Sequence, residues 1–405
     1  MTEFKQRQTV GNASESVLEF DGQQYLDGRA SDPREFGWMR GAPPPPDKRV
    51  TFENETVWTF PQLRWSLSHM RELRPTVQVW RGRGGPSQLE CSNRSTEIDG
   101  LTFVDMDDRT NRFEEALFDT YTDGILVLHR GRIIYERYFG ALAPHVQHSC
   151  QSITKSYAGT LAAALVHEGI LDDRKTISQF VPELRGTGWE DATLRQVMDM
   201  QTNVAFTEDY TSVDKSYRCE YLRTIRKEGA HGKFVYKGVD TNVMAWVMSR
   251  ATGRSFAQLL EERLWLPLGC EEDAYVEIDP TNGMPRAHSG LNVTLRDLAR
   301  FGELMRCEGS CNGKQLVPAS VVYDLQDLDH PAKPDLPFGY TYRSQWWVSH
   351  DELDAIEGRG LYGQNLYIAP KAEMVIARFG SHPACDHIDR IRRPQMQALG
   401  RMLRA

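Results

Sequence analysis

Apolar residues along this chain switch between two spacings, and the switches divide it. After Asp123 the stretch GILVLHRGRIIYERYFG holds two β-rich runs that meet at His129-Arg130-Gly131. An apolar run, a glycine turn and an alternating run predict a β-hairpin. From Ser156 the chain reads SYAGTLAAALVHEGIL, rich in Ala and Leu with Gly169 near its end, which predicts a buried helix stopped by glycine. Between about 170 and 335 come TLRQVMDM, VMAWVMSRATG, SFAQLLEERLWLPLG and TLRDLARFGELMRCEG. Their apolar residues fall at helical spacing and run to a glycine or proline stop. Strand-like runs return at Ser344–Ser349, Gly363–Ile368 and Met374–Phe379, and a helix closes the chain.

Hairpin, helix, helical block, three strands and helix make an α+β order. It predicts one antiparallel sheet, built from the hairpin and the late strands, with the first and last helices packed on it and a mostly helical domain inserted. The sheet domain is expected over 111–169 and 336–405, and the helical domain over 170–335. Residues 1–110 are expected as an N-terminal arm and irregular segment packed on the core. Within them, 1–50 are polar and turn-rich and end in Pro43-Pro44-Pro45-Pro46, the pattern of an extended surface arm with a stiff polyproline connector. Residues 51–110 mix patterns and predict no definite elements. A cleft between the two domains is where a site is expected.

Composition removes several function classes. The chain has 405 residues, 40% hydrophobic and 26% charged, the range of ordinary globular proteins. The net charge of -8, with no basic run, argues against nucleic acid and anionic lipid as partners. The N-terminus MTEFKQRQTVGNASES lacks the apolar core of a signal peptide, and no apolar run approaches the ~20 residues of a membrane span. The seven cysteines are scattered and odd in number, and no Cys-x-x-Cys pair occurs. Free thiols in a reducing cytoplasm are expected. His145 and His148 are three apart, but no carboxylate and histidine complete a zinc set, so neither a metal nor another cofactor is expected. Oligomeric state stays open, a homodimer included.

The chemistry points to Ser152-Ile-Thr-Lys155. Ser152 opens the predicted helix and Lys155 stands one turn on, along the same face. A hydroxyl and an amine at the positive end of a helix dipole make a nucleophile with its base. Dipole and burial both disfavour an ammonium ion and press the lysine down from its usual ~10.4. The competing reading is an N-cap serine followed by a surface lysine. The same spacing recurs at Ser212-Val-Asp-Lys215, in the polar stretch EDYTSVDKSYR with no apolar helix behind it, where a solvated loop is expected.

Further motifs occur in a fixed order: Thr120-Tyr-Thr-Asp-Gly-Ile-Leu-Val, Ser152-Ile-Thr-Lys155-Ser, Val197-Met-Asp-Met-Gln, Glu208-Asp-Tyr210, Phe234-Val-Tyr236, Arg296-Asp-Leu-Ala-Arg300, Gln345-Trp-Trp347 and Gly363-Gln-Asn365. With these the chain resembles the serine β-lactamase and penicillin-binding-protein family over roughly residues 20–385. Within it the resemblance is to the class C-like esterases and amidases, nylon-oligomer hydrolases among them. The resemblance implies that Ser152 is the nucleophile, Lys155 its basic partner and Tyr236 the proton relay to the leaving group. It implies an oxyanion hole from the backbone N–H groups of Ser152 and Leu361, and substrate contacts at Tyr210, Trp347, Gly360 and Arg359. Trp346 is expected on the opposite strand face from Trp347, and Cys150 to be structural.

Two elements depart from the family pattern. The usual Tyr-x-Asn is Tyr236-Lys237-Gly238 here, with Asp240 and Asn242 as candidates to compensate. The usual Lys-Thr-Gly is Gly358-Arg359-Gly360, which keeps the glycine and loses the lysine. The implied function is a serine hydrolase acting on a small amide or ester. A β-lactamase or D-Ala-D-Ala peptidase, an acyltransferase and a non-catalytic binding protein are the alternatives.

Overall fold

Two positive-φ residues, Arg130 at 53° and Gly131 at 76°, turn the chain back on itself in the predicted hairpin. The computed structural model describes residues 17–208, 215–327 and 336–404. In chain order, the elements that position the site begin with strand β1 (Thr76–Val79), hairpin β2 (Thr122–His129) and β3 (Arg132–Tyr138), and the short β4 (His148–Ser149). Helix α1 (Ile153–His167) follows, and Gly169, at φ 73°, turns the chain out of it. Next come α2 (Gly238–Thr252), β5 (Ala274–Glu277), β6 (Leu291–Val293) and α3 (Leu295–Arg306). The chain ends with β7 (Thr341–Arg343), β8 (Trp346–Val348), β9 (Ile356–Gly360), β10 (Gln364–Ala369), β11 (Met374–Gly380) and α4 (Ile388–Arg404).

The hairpin pairs with the C-terminal strands across the whole intervening chain. The sheet runs β7-β8-β9-β10-β11-β2-β3 and is antiparallel throughout. Both faces are covered, which is why its central strands read as continuous apolar runs. Leu126, Leu128, Leu366, Ile368, Val375 and Phe379 join the core shared with α1 and α3. Ile125, Val127, Tyr367, Met374 and Ile376 face Met396, Leu399 and Leu403 of α4. The alternation along each strand delivers successive residues to opposite layers.

Three features differ from the sequence expectation. Helix α3, expected in the helical domain, lies on the sheet against β2, β10 and β11. Its amphipathic spacing demands that one face be hidden but does not say against which layer. A second, four-stranded sheet, β1-β5-β6-β4, ties the N-terminal region, the helical region and the segment before α1 together. Its strands are too short for periodicity to announce them. Finally, the N-terminal region is not an extended arm over its described residues. Val17–Phe20 pairs with Gln23–Leu26, and Trp38, Val50, Val57, Trp65 and Met70 bury themselves with Tyr275 in an aromatic cluster. The proline run lies on the surface beside it. Among the described residues, no helix is long and apolar enough to cross a membrane.

Candidate active site

Ser152 stands immediately before α1, and its hydroxyl is not used to cap that helix. Its backbone is already helical (φ -67°, ψ -6°) and no side-chain cap bond forms. Its Oγ lies 2.8 Å from Lys155 Nζ instead. The bend that presents it is strained: Gln151 has φ 45°, a left-handed conformation that costs a non-glycine residue about 1 kcal/mol or more. Packing holds the bend. Cys150 N–H donates to Leu291 O at 2.9 Å, Leu291 N–H donates to Thr154 Oγ1 at 3.2 Å, and Thr154 Oγ1 donates to Gln151 O at 2.7 Å. The β4–β6 pair of the small sheet therefore clamps the loop in front of the helix.

Lys155 is only 2% exposed. Its Nζ also donates to the backbone carbonyl of His288 at 2.8 Å, and the Tyr236 ring centroid lies 5.0 Å away. His288 is itself fixed by Asn242 of α2. The Asn242 amide donates to Ser216 O at 3.0 Å, which turns Oδ1 toward His288 N–H at 3.2 Å and Nδ1 at 3.1 Å. In that arrangement Nδ1 carries the proton. Of the two candidates to compensate for the missing asparagine, Asn242 thus reaches Lys155 through His288, whereas Asp240 does not line the cavity. Asp240 accepts from Trp189 Nε1 at 2.8 Å and from Thr202 Oγ1 at 2.9 and 2.8 Å within the core. Burial pushes its carboxyl up to about 7 despite those bonds. At Gly238, a Cβ would come within 2.9 Å of Glu208 Oε1 and 3.0 Å of His288 Cδ2, so the glycine makes room for His288.

Strand β9 closes the other side. A Cβ at Gly360 would lie 2.6 Å from Cys150 O, so glycine lets the strand end meet the loop before Ser152. The turn Leu361–Gly363 follows, with Tyr362 at φ 64°. All three of its carbonyls are held from behind. Gln364 Nε2 donates to Leu361 O at 2.9 Å and to Gly380 O at 2.7 Å, and Gly380 N–H returns to Gln364 Oε1 at 2.9 Å. His382 N–H donates to Tyr362 O at 3.0 Å, and the buried Arg378 donates to Gly363 O.

A cavity of about 1090 Å³ opens between these parts, and Ser152, Lys155, Tyr236, Trp347, Arg359, Gly360 and Leu361 all line it. Tyr236 stacks on Trp347, with centroids 5.7 Å apart and planes at 22°. Trp346 points to the opposite face, fully buried, with Nε1 donating to Thr160 Oγ1 at 3.1 Å. Arg359 lies 5.4 Å from the Trp347 ring and 5.1 Å from that of Tyr340, and forms an ion pair with Asp389. Tyr210 and Ser212 lie outside the described residues, while Lys215 lines the cavity. Cys150 is fully buried, and burial pushes its thiol up. His148 is buried against Phe379 and within 3.4 Å of Asp123, and among the described residues no cluster of three potential ligands could hold a metal.

The sequence reading missed Trp58, His288 and Asp389 at this cavity. Trp58 stacks on Tyr362 at 6.0 Å from a region with no readable elements. His288 contributes a backbone carbonyl, which has no side-chain signature. Asp389 looks in sequence like an ordinary acid in the first turn of a helix.

A Ser-x-x-Lys helix set against an antiparallel sheet, with a glycine-bearing strand crossing in front of the serine, defines the serine β-lactamase class of fold. The chain belongs to the beta-lactamase family, whose pattern matches residues 111–393. It is 32% identical over 352 residues to 6-aminohexanoate-dimer hydrolase of Paenarthrobacter ureafaciens, spanning 80% of this chain and 87% of that one. The solved structure titled "Putative 6-aminohexanoate-dimer hydrolase from Bacillus anthracis" superposes with a TM-score of 0.81 at 29% identity, covering 89% of this chain and 98% of that chain. A family VIII carboxylesterase shares the fold, with a TM-score of 0.60 at 16% identity over 77% of this chain and 99% of that one.

Proposed function

We propose that this protein is a serine hydrolase that cleaves a small linear amide or an ester through an acyl-enzyme intermediate. Ser152 Oγ attacks the substrate carbonyl carbon while its proton passes to Lys155 Nζ. The backbone N–H groups of Ser152 and Leu361 hold the tetrahedral oxyanion. Tyr236 passes a proton to the departing amine or alkoxide, which leaves as the acyl-enzyme forms. Water then attacks the acyl carbonyl, and the proton path runs in reverse to free Ser152.

The observation that carries this reading is the pairing of an uncapped Ser152 hydroxyl with a buried Lys155 amine at 2.8 Å. A surface lysine behind an N-cap serine would have neither property. Similarity to 6-aminohexanoate-dimer hydrolase supports a linear amide. The engagement of Arg359 by Asp389 counts against a substrate that needs a free cation on β9.

Intact-mass spectrometry after treatment with a fluorophosphonate tests the nucleophile. One adduct is expected, absent from Ser152→Ala; equal labelling of that variant would remove the assignment. Turnover of a linear aminohexanoate dimer and of p-nitrophenyl esters, measured beside nitrocefin, tests the substrate class. Rapid nitrocefin hydrolysis with negligible ester and amide cleavage would replace it with a β-lactamase.

A further inference from the structure

The cavity wall beyond the nucleophile carries an arginine already supplied with a carboxylate. Arg359 follows Gly358 on β9 and pairs in register with Asn365. Its side chain is 20% exposed, and that of Asp389, 17%. Asp389 is shared, because its second oxygen accepts from Arg392. Burial opposes charge on both partners, yet Arg359 is held above its usual pKa chiefly by Asp389, and Asp389 below its own chiefly by Arg392 and Arg359. The guanidinium also lies 5.1 Å from the Tyr340 ring and 5.4 Å from the Trp347 ring, which meet edge to face, and Trp347 in turn carries Tyr236. Arg359, Asp389 and Arg392 all line the same cavity as Ser152.

A cation in this position would attract a carboxylate on a substrate bound at Ser152. Asp389, shared between Arg359 and Arg392, offsets part of that attraction and sets a like charge beside an incoming carboxylate. Specificity of this kind comes from a repulsive element as much as from an attractive one.

We propose that Asp389 is a built-in carboxylate that occupies Arg359 and makes this cavity select substrates that are uncharged at that wall. Replacing Asp389 opens an anion subsite for carboxylate-bearing esters and amides. The proposal rests on the reading of Ser152 as the nucleophile.

The test compares matched esters: mono-p-nitrophenyl glutarate against p-nitrophenyl pentanoate for the acyl side, and 4-carboxyphenyl butyrate against 4-carbamoylphenyl butyrate for the leaving side. In each pair the ratio of kcat/KM values is the readout, because a general loss of folded enzyme cancels in it. Asp389→Asn, which keeps the shape and the bonds to Arg392, is expected to move at least one ratio about tenfold or more toward the anionic ester. The double variant with Arg359→Gln is expected to lose that gain. Folded Asp389→Asn with both ratios within about twofold of the parent would overturn the proposal. So would Arg359→Gln alone, should it depress only the anionic esters, since Arg359 would then already be receiving substrate. That second arm decides the matter even if Asp389→Asn does not fold. Ser152→Ala that still cleaves all four esters would instead remove the nucleophile assignment, a separate failure.

Discussion

The two walls of the cavity are built by opposite means. Around Ser152 neutral groups take part: the serine hydroxyl and the His288 carbonyl accept from Lys155, and Asn242 holds His288. Such partners aim an amine without fixing its proton as an ion pair does. The wall at Arg359 is built from charges and aromatic faces, with Asp389 and Arg392 on one side and Trp347 and Tyr340 on the other. The difference teaches where each property lives. The proposed proton transfer asks for a lysine that can exist in both states. Substrate selection asks for a fixed charge pattern, which ion pairs supply.

The largest effect should come from the neutral wall. Lys155→Ala removes the proposed base and is expected to slow labelling by the fluorophosphonate and ester turnover by about 10³-fold or more. A loss under tenfold in folded protein would mean that another group takes the proton. The next effect should come from behind the Leu361 turn. Gln364→Leu deletes the amide that bridges Leu361 O and the Gly380 backbone. If Leu361 N–H holds the oxyanion, kcat should fall about 10²-fold with KM within about twofold, because the donor acts on the transition state. A rise in KM with kcat intact would make Gln364 a pocket-shaping residue only.

The smallest effect should lie behind both walls, at Asp240. Its folded pKa is about 7 against an ordinary 3.8, so between those values the folded chain binds a proton that the unfolded chain has released. Its contribution is most favourable below pH 3.8 and declines as pH rises toward 7, levelling off above. Urea midpoints at pH 5 and pH 8 for parent and Asp240→Asn should therefore shift in favour of the variant at the higher pH, with turnover changed little. A gap between the two proteins that is independent of pH would show that Asp240 is ionised throughout.

Two hairpins mark how far the sequence could be read. Arg130-Gly131 announces its turn, because glycine accepts positive φ readily. Ser344-Gln345 makes the same kind of turn, with φ of 45° and 68°, from residues that disfavour it. Strand β7 therefore went unpredicted. Long-range bonds hold that turn: Thr241 Oγ1 donates to Gln345 Oε1 at 2.7 Å, and Gln345 Nε2 donates to Met198 O at 2.8 Å. The same bonds join three motifs legible one by one, around Val197, α2 and Gln345, into one support for α1. Ser156 completes it by donating to Gln345 O at 3.1 Å.

The sequence by itself determined the residue types that can do the chemistry and the helix that pairs them, because a serine and a lysine three apart are neighbours on any helix. It also determined the apolar stretches of the central sheet, because strands covered on both faces bury mostly apolar side chains. Tertiary structure alone decided which carbonyl faces Lys155, that Asn242 rather than Asp240 supports it, that α3 belongs to the sheet, and that Asp389 pairs with Arg359. Each of these depends on segments far apart in the chain meeting at hydrogen-bond distance. A backbone carbonyl or a helix-start aspartate carries no local mark of the partner that folding will bring to it.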